Sequence, residues 1–471
     1  MTLQPGSQPA ASATQDLVRF VTSATVDEVV IAQAVPAVLD TLAVTIAGGV
    51  EPGLAALQRA LEPEARVGAV PSFWSDASYR ADDAAMLFGM ASHVLDYDDV
   101  SMLTVCHPSA PVLSALLAAV PRGQASGRDL LEAFAIGTEV LIRLGQAMGF
   151  RHYALGFHAT ATLGAVGAAA ACARLARLDE GRTRHALAIA ASMSSGLRKN
   201  FGSMVKSLHV GIAAANGLRA VRFAVAGVEG AADPVEREGF LHAFSGGETD
   251  LWPAGLTLGE PFAIVEPGFE QKRYPCCYML HKMIEATLAL GREHALALDD
   301  VATMRVEMPA GGTKPLIHPA PKSGLNGLFS APYAVVASLA DGRIDLKSFT
   351  DAAVLRSEIQ ARLADVTVVE VAGAAQKGSD LGSAPVTVTL GLRDGRALSR
   401  TITASPGSRQ DPLTGPQLEA KWLDCLQRAE PSLAREEARA LFDEGLSLAG
   451  QARIDDWLSR LRSNALRRQA A

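Results

Sequence analysis

Val35-Pro-Ala-Val-Leu-Asp-Thr-Leu-Ala-Val-Thr-Ile-Ala47 and the run Ala159–Ala176 are helix-spaced, apolar on more than one face, and crowded with Ala, Gly and Thr. A helix of this kind has no polar side to turn to water, so it must be covered all round. Its small side chains also let neighbouring backbones approach closely. Such segments recur from about Thr14 to Glu260 and predict an all-α core. Thr14 or Ser23, and Ser126, suit N-caps; Gly48-Gly49 and Gly227 suit stops. No apolar run reaches the roughly 18 residues of a membrane span, so protein rather than lipid is expected to cover these helices.

The texture changes near Phe262-Ala263. Val301-Ala-Thr-Met-Arg-Val-Glu-Met308 alternates, Val366-Thr-Val-Val-Glu-Val371 is β-branched, and the run from Val386 to Thr403 reads as two strands around an Asp394-Gly395 turn. Helical spacing is interspersed at Tyr278 to Leu290, Pro332 to Ala340 and Ser348 to Leu363. After the Pro/Gly/Ser-rich stretch Ser405–Pro416, helical sequence returns to the end of the chain. The expected fold class is therefore mainly α with an α+β second domain. Residues 1–262 and 406–471 form the helical domain, and 263–405 are inserted as an α+β lid.

Length and composition agree with two globular domains: 471 residues, 49% hydrophobic and 20% charged. A formal net charge of −7 speaks against a nucleic-acid partner, so any anionic ligand must be met by a local basic pocket. Five cysteines in so long a chain do not form a disulfide framework and fit a reducing, cytoplasmic setting. The first residues lack the basic and apolar regions of a signal peptide and read as a frayed polar lead.

Chemistry concentrates in four short motifs. Asp96, Asp98 and Asp99 precede His107-Pro-Ser; His158 opens the Ala/Thr-rich helix after Gly156. Lys206 begins Lys206-Ser-Leu-His-Val-Gly211, and Lys272 with Arg273 begins Lys272-Arg-Tyr-Pro-Cys-Cys277. The acidic run can orient a histidine; without an EF-hand pattern, a metal is the weaker reading. A histidine at a helix N-terminus is pushed toward its neutral, proton-accepting form. A lysine flanked by Met204, Val205 and Leu208 is partly desolvated if its helix packs. His209 reads as a core or supporting group, and Cys276-Cys277 as packing. No GxSxG, Walker A, HExxH or convincing GxGxxG motif is present, so no nucleotide cofactor is expected.

Taken in order, these motifs resemble the MmgE/PrpD family, which includes 2-methylcitrate dehydratase, cis-aconitate decarboxylase and iminodisuccinate epimerase. The resemblance implies a homodimer without metal or organic cofactor, with its site between helical domain and lid. It implies Asp96, His107, His158, Lys206, Lys272 and Tyr333 as site residues, with Arg273 counted beside Lys272 among the substrate-binding groups. The implied chemistry is removal of a proton next to a carboxylate, or loss of that carboxylate as CO₂, on a small di- or tricarboxylic acid. Lys206 and Lys272 would hold carboxylates and His158 or Lys272 would act as base. His107, oriented by Asp96, would protonate the leaving hydroxyl or the carbon. Elimination of water is the simplest outcome; epimerisation, decarboxylation, or carboxylate binding without turnover are the alternatives.

Two departures bear on substrate. Val100 replaces a family threonine after the aspartates, and Asn326-Gly-Leu-Phe-Ser330 lacks the carboxylate and cation usual before the tyrosine. Lys314, His318 and Lys322 are the nearby cations available to compensate. The runs Cys277–Lys282 and Gly312–His318 look more like the epimerase than the dehydratase.

Overall fold

The structure is a computed structural model and describes residues 12–61, 63, 69–120, 125–253, 256–371 and 382–466; the polar lead before residue 12 lies outside them. The described chain is mainly α, with a four-stranded mixed sheet in its second half. Buried apolar side chains fall into two clusters. One gathers residues from Ala13 to Ile264 together with Leu346 and the C-terminal residues Leu418 to Leu461. The other runs from Tyr274 to Leu392.

Helix ends follow local chemistry. Ser126 caps the Gly127–Ala154 helix in a reciprocal capping box with Asp129, and the Glu28–Gly48 helix stops at its glycine. The first helix, Ala13–Ser23, is capped by Ser12, so Thr14 lies inside it and Ser23 ends it. Glu28–Gly48 is, at 21 residues, long and apolar enough to cross a membrane, contrary to the sequence reading. Yet 78% of its apolar window is buried within the protein, against neighbours that include the C-terminal Gly415–Ala429 helix.

The sheet runs in the order Val366–Val371, Val301–Pro309, Val386–Leu392, Ala397–Ile402. Its first pair is parallel and the others antiparallel. Gly395, at φ +88°, makes the turn of the last hairpin. Val386, Val388, Leu390 and Leu392 are buried on one face, against which the helix His281–His294 packs. The single helix expected over Ser348 to Leu363 is instead a series of short turns, because Thr350 and Arg356 are extended and restart the chain each time.

One close approach positions the site. A Cβ on Gly89 would lie 2.7 Å from the Gly211 Cα, so the helices Ala81–Val94 and Met204–Val225 cross backbone to backbone. The crossing sets the C-terminal end of the first helix, with its aspartate run, beside the first turn of the second, which carries Lys206.

Candidate active site

A cavity of about 330 Å³ lies where the two clusters meet. Asp96, His107, His158, Lys206 and Lys272 line it. Met279, Gly311, Lys314 and Phe329, from the α+β region, face them. Three lysines against one aspartate in the wall leave a formal charge of +2, in a chain whose net charge is −7. That size and local charge suit a small polycarboxylate and little else the sequence had left open.

Asp96 organises the lysines. Its backbone is left-handed, at φ +48°, a conformation aspartate tolerates better than most residues. Its Oδ1 accepts hydrogen bonds from Lys206 Nζ and Lys272 Nζ, both at 2.9 Å, and its carbonyl accepts a second bond from Lys272 Nζ at 2.8 Å. Burial works against this carboxylate, but the two ammonium groups outweigh it and hold its pKa well below the ordinary value. Burial would likewise discharge Lys272; Asp96 and Asp98 overcome it, and its pKa stands above that of ordinary lysine. Lys206 is 7% exposed although Met204 and Val205 beside it are exposed. Its cover comes instead from Asp96 and from the rings of Phe201 and Phe329, 5.5 and 5.2 Å from its Nζ.

The histidines form a second layer. Asp98 Oδ2 lies 2.8 Å from His93 Nδ1 and 3.3 Å from His107 Nδ1, while His107 Nε2 is 3.9 Å from Asp96. The carboxylate that orients His107 is therefore Asp98 rather than Asp96, which is committed to the lysines. His107 Nδ1 faces Asp98 at ion-pair distance without a hydrogen bond, and its Nε2 is the nitrogen turned toward the Asp96 side. Burial, aided by the nearby lysines, lowers the pKa of His107 despite Asp98. His158, N-cap of the Ala159–Leu175 helix, is lowered strongly by burial and then by His93 and Lys206. Its Nδ1 meets His209 Nδ1 at 3.2 Å. Asp99 behaves differently from its neighbours: burial raises its pKa to about 8, partly offset by its bond from the Ser109 hydroxyl.

Two of the residues expected at the site lie elsewhere. Tyr333 is fully buried in the core of the α+β region, where its hydroxyl donates to the Ser348 carbonyl. The guanidinium of Arg273 sits over the Tyr274 ring, 6.0 Å from its centroid, beside a separate hollow with Gln417 and Asp424. Lys272 lies in the cavity wall, while its neighbour Arg273 lies at the separate hollow. His93 went unassigned in the sequence, and Asp98 was named only within the acidic run, although His93-x₄-Asp98 spacing at a helix end is a readable signal. Lys314, one of three loop cations, is the one in the cavity wall. All five cysteines are free and buried; Cys277 faces the cavity with its thiol pKa pushed up to about 11 by burial.

His93, Asp96, Asp98 and His107 each offer one ligand atom within 4.8 Å of one another, the spacing of a cation site. Two of these donors already hold partners, Asp98 Oδ2 with the His93 imidazole and Asp96 Oδ1 with two ammonium groups, while Asp98 Oδ1 and His93 Nε2 have none. A divalent ion there would sit against two fixed positive charges, so the cluster suits proton transfer better than metal binding.

Cis-aconitate decarboxylase of Homo sapiens is 29% identical over 349 residues, 72% of this chain and 71% of that protein. Its counterpart in Mus musculus is 30% identical over 303 residues, covering 60% and 59% of the two chains. The cis-aconitate decarboxylase of Aspergillus terreus strain NIH 2624 is 27% identical over 354 residues, 69% and 71%. The MmgE/PrpD N-terminal domain family matches residues 15–251 and the MmgE/PrpD C-terminal domain family residues 274–446. Spanning most of its length, these two matches make the chain a member of the MmgE/PrpD family.

Proposed function

We propose that the protein is a decarboxylase of a small unsaturated tricarboxylate of the cis-aconitate type, working without metal or organic cofactor. The observation that carries the reading is the division of the cavity wall. Lys206 and Lys272 supply fixed positive charge on one Asp96 oxygen, while Met102, Val105, Phe150, Met279 and Phe329 make much of the remainder apolar. A carboxylate held against apolar wall is poorly solvated and gains by leaving as neutral CO₂. The carbanion it leaves delocalises into the neighbouring unsaturated carboxylate, where the ammonium groups stabilise the charge that develops.

The step balances with one proton. The bond between carbon and the departing carboxyl breaks, its electron pair moves through the alkene, and a proton is delivered to the distal carbon. His107, reprotonated from solvent after each turnover, is the proposed donor, and His158 the group on the other side. The relatives are cis-aconitate decarboxylases, and Val100 contributes no hydroxyl donor where a hydroxylated substrate would use one. Both considerations put decarboxylation ahead of the elimination of water that the motifs alone suggested. Purified protein incubated with cis-aconitate, citrate, 2-methylcitrate and aspartate-derived dicarboxylates is expected to release CO₂ from the first. Alkene formation from a hydroxy acid, or inversion without loss of mass, would replace this reading with dehydration or epimerisation.

A further inference from the structure

Beneath the site lies a second buried ion pair that the chemistry above does not use. Lys421, on the C-terminal Gly415–Ala429 helix, has its Nζ 2.7 Å from Asp40 Oδ1, on the Glu28–Gly48 helix. Both side chains are almost wholly buried, at 3% and 0% exposure. The same Nζ donates to the Tyr97 carbonyl at 2.8 Å and to the Lys272 carbonyl at 2.9 Å, and lies 3.9 Å from the centre of the Tyr97 ring. These carbonyls belong to the residue after Asp96 and to Lys272 itself. One ammonium from the end of the chain thus clamps the two backbone segments whose side chains form the Asp96–Lys272 contact. The clamp bears on a strained point: Asp96 is in the left-handed region, and its carbonyl is held from the other side by Lys272 Nζ.

We propose that Lys421, charge-balanced by Asp40, is a positioning residue that fixes the separation and orientation of Asp96 and Lys272. Burying an ion pair is a poor way to gain stability, since a well-packed apolar pair of similar volume commonly does as well or better. Its two bonds to the carbonyls of the site give it a different use. Lys421 touches no cavity atom and takes no proton, so its loss should act on turnover by displacing the groups that do. A displacement of about 1 Å in a positioned group costs on the order of 100-fold in rate.

The inference rests on the reading of the cavity as a catalytic site, and its test separates the two. The apolar replacement Asp40→Leu/Lys421→Met removes the pair without stranding a charge. It is expected to fold with a melting temperature near that of the parent, to lose about 100-fold in kcat, and to keep KM within about threefold. Asp40→Asn/Lys421→Gln restores neutral N–H donors for the two carbonyls and should recover most of that loss. A folded Asp40→Leu/Lys421→Met variant with parental kcat overturns the proposal, as does an Asp40→Asn/Lys421→Gln variant no more active than it. A substrate-free readout accompanies the kinetics: the ring-carbon NMR titration of His107, whose Nε2 is 3.9 Å from Asp96, should move in the apolar variant and return in the polar one. If the parent turns over no acid in the panel while His107 responds in this way, the proposed function fails and the positioning role stands. An unmoved His107 titration overturns the positioning role.

Discussion

The two sides of the cavity are built on different terms. On the helical side, every charged group is paired inside the protein: Asp96 with two lysines, Asp98 with two histidines, and the Asp40–Lys421 pair behind them. On the α+β side the wall is mostly apolar, and the charged side chain in it, Lys314, is exposed and sits in a loop after the Val301–Pro309 strand. A buried network of paired charges holds its geometry before substrate arrives, which is what a transition state needs. An exposed lysine on a loop adds charge without fixing position. The difference teaches that reaction type should reside in the helical wall and selectivity in the other.

Substitutions can break or sharpen that division. The largest effect is expected in the helical wall: His107→Gln and His158→Gln should each lower kcat by about 10²–10⁴ while the fold persists, as judged by circular dichroism. Asp98→Asn leaves His107 in place but removes the charge that orients it, and should cost about 100-fold in kcat. Both imidazoles are held below the usual histidine pKa, so at neutral pH only a minor fraction of His107 carries the proton it is proposed to donate. A pKa lowered in the folded protein means that protonation is postponed to lower pH. Because the proposed donor works from its protonated form, kcat/KM should rise as pH falls through about 6.5 and decline above it. A profile that stays flat or falls as pH drops below about 6.5 would show that a different group controls the rate.

Across the cavity the effects should be smaller and of another kind. Lys314→Ala is expected to raise KM for a tricarboxylate about fivefold, on the order of 1 kcal/mol for an exposed charge, with kcat unchanged. A dicarboxylate lacking the third group should not notice the change. Smallest of all, Tyr333→Phe should leave kcat within twofold and cost about 1 kcal/mol in denaturant unfolding, because its hydroxyl serves the Ser348 carbonyl. A large kcat loss in Tyr333→Phe would dissolve the division between the two walls.

Much of this was legible in the sequence because the signals were local. The small-residue periodicity of Ala159–Leu175 and the Asp394-Gly395 turn each depend on neighbours a few positions away, and the structure has both elements. The lysine and histidine motifs named residues that the structure gathers around one cavity. Pairing was not legible. Nothing near Lys206 in the chain says that Asp96 covers it, and the flanking Met204 and Val205 pointed to the wrong cover. Nor does spacing reveal that Asp98 serves His107 while Asp96 serves the lysines, since two residues apart on an irregular turn can face either way. Lys421 was invisible for the same reason: its three partners come from residues 40, 97 and 272.

The central claim is that paired charges in the helical wall stabilise a carbanion left by CO₂. Its most direct test is NMR of the purified protein with cis-aconitate in D₂O, following released CO₂ and the deuterium content of the product. The account predicts loss of one carboxyl group and a single deuterium at the carbon distal to it. Conversion of any acid in the panel with all its carboxyl groups retained, and none of cis-aconitate to CO₂, would contradict it.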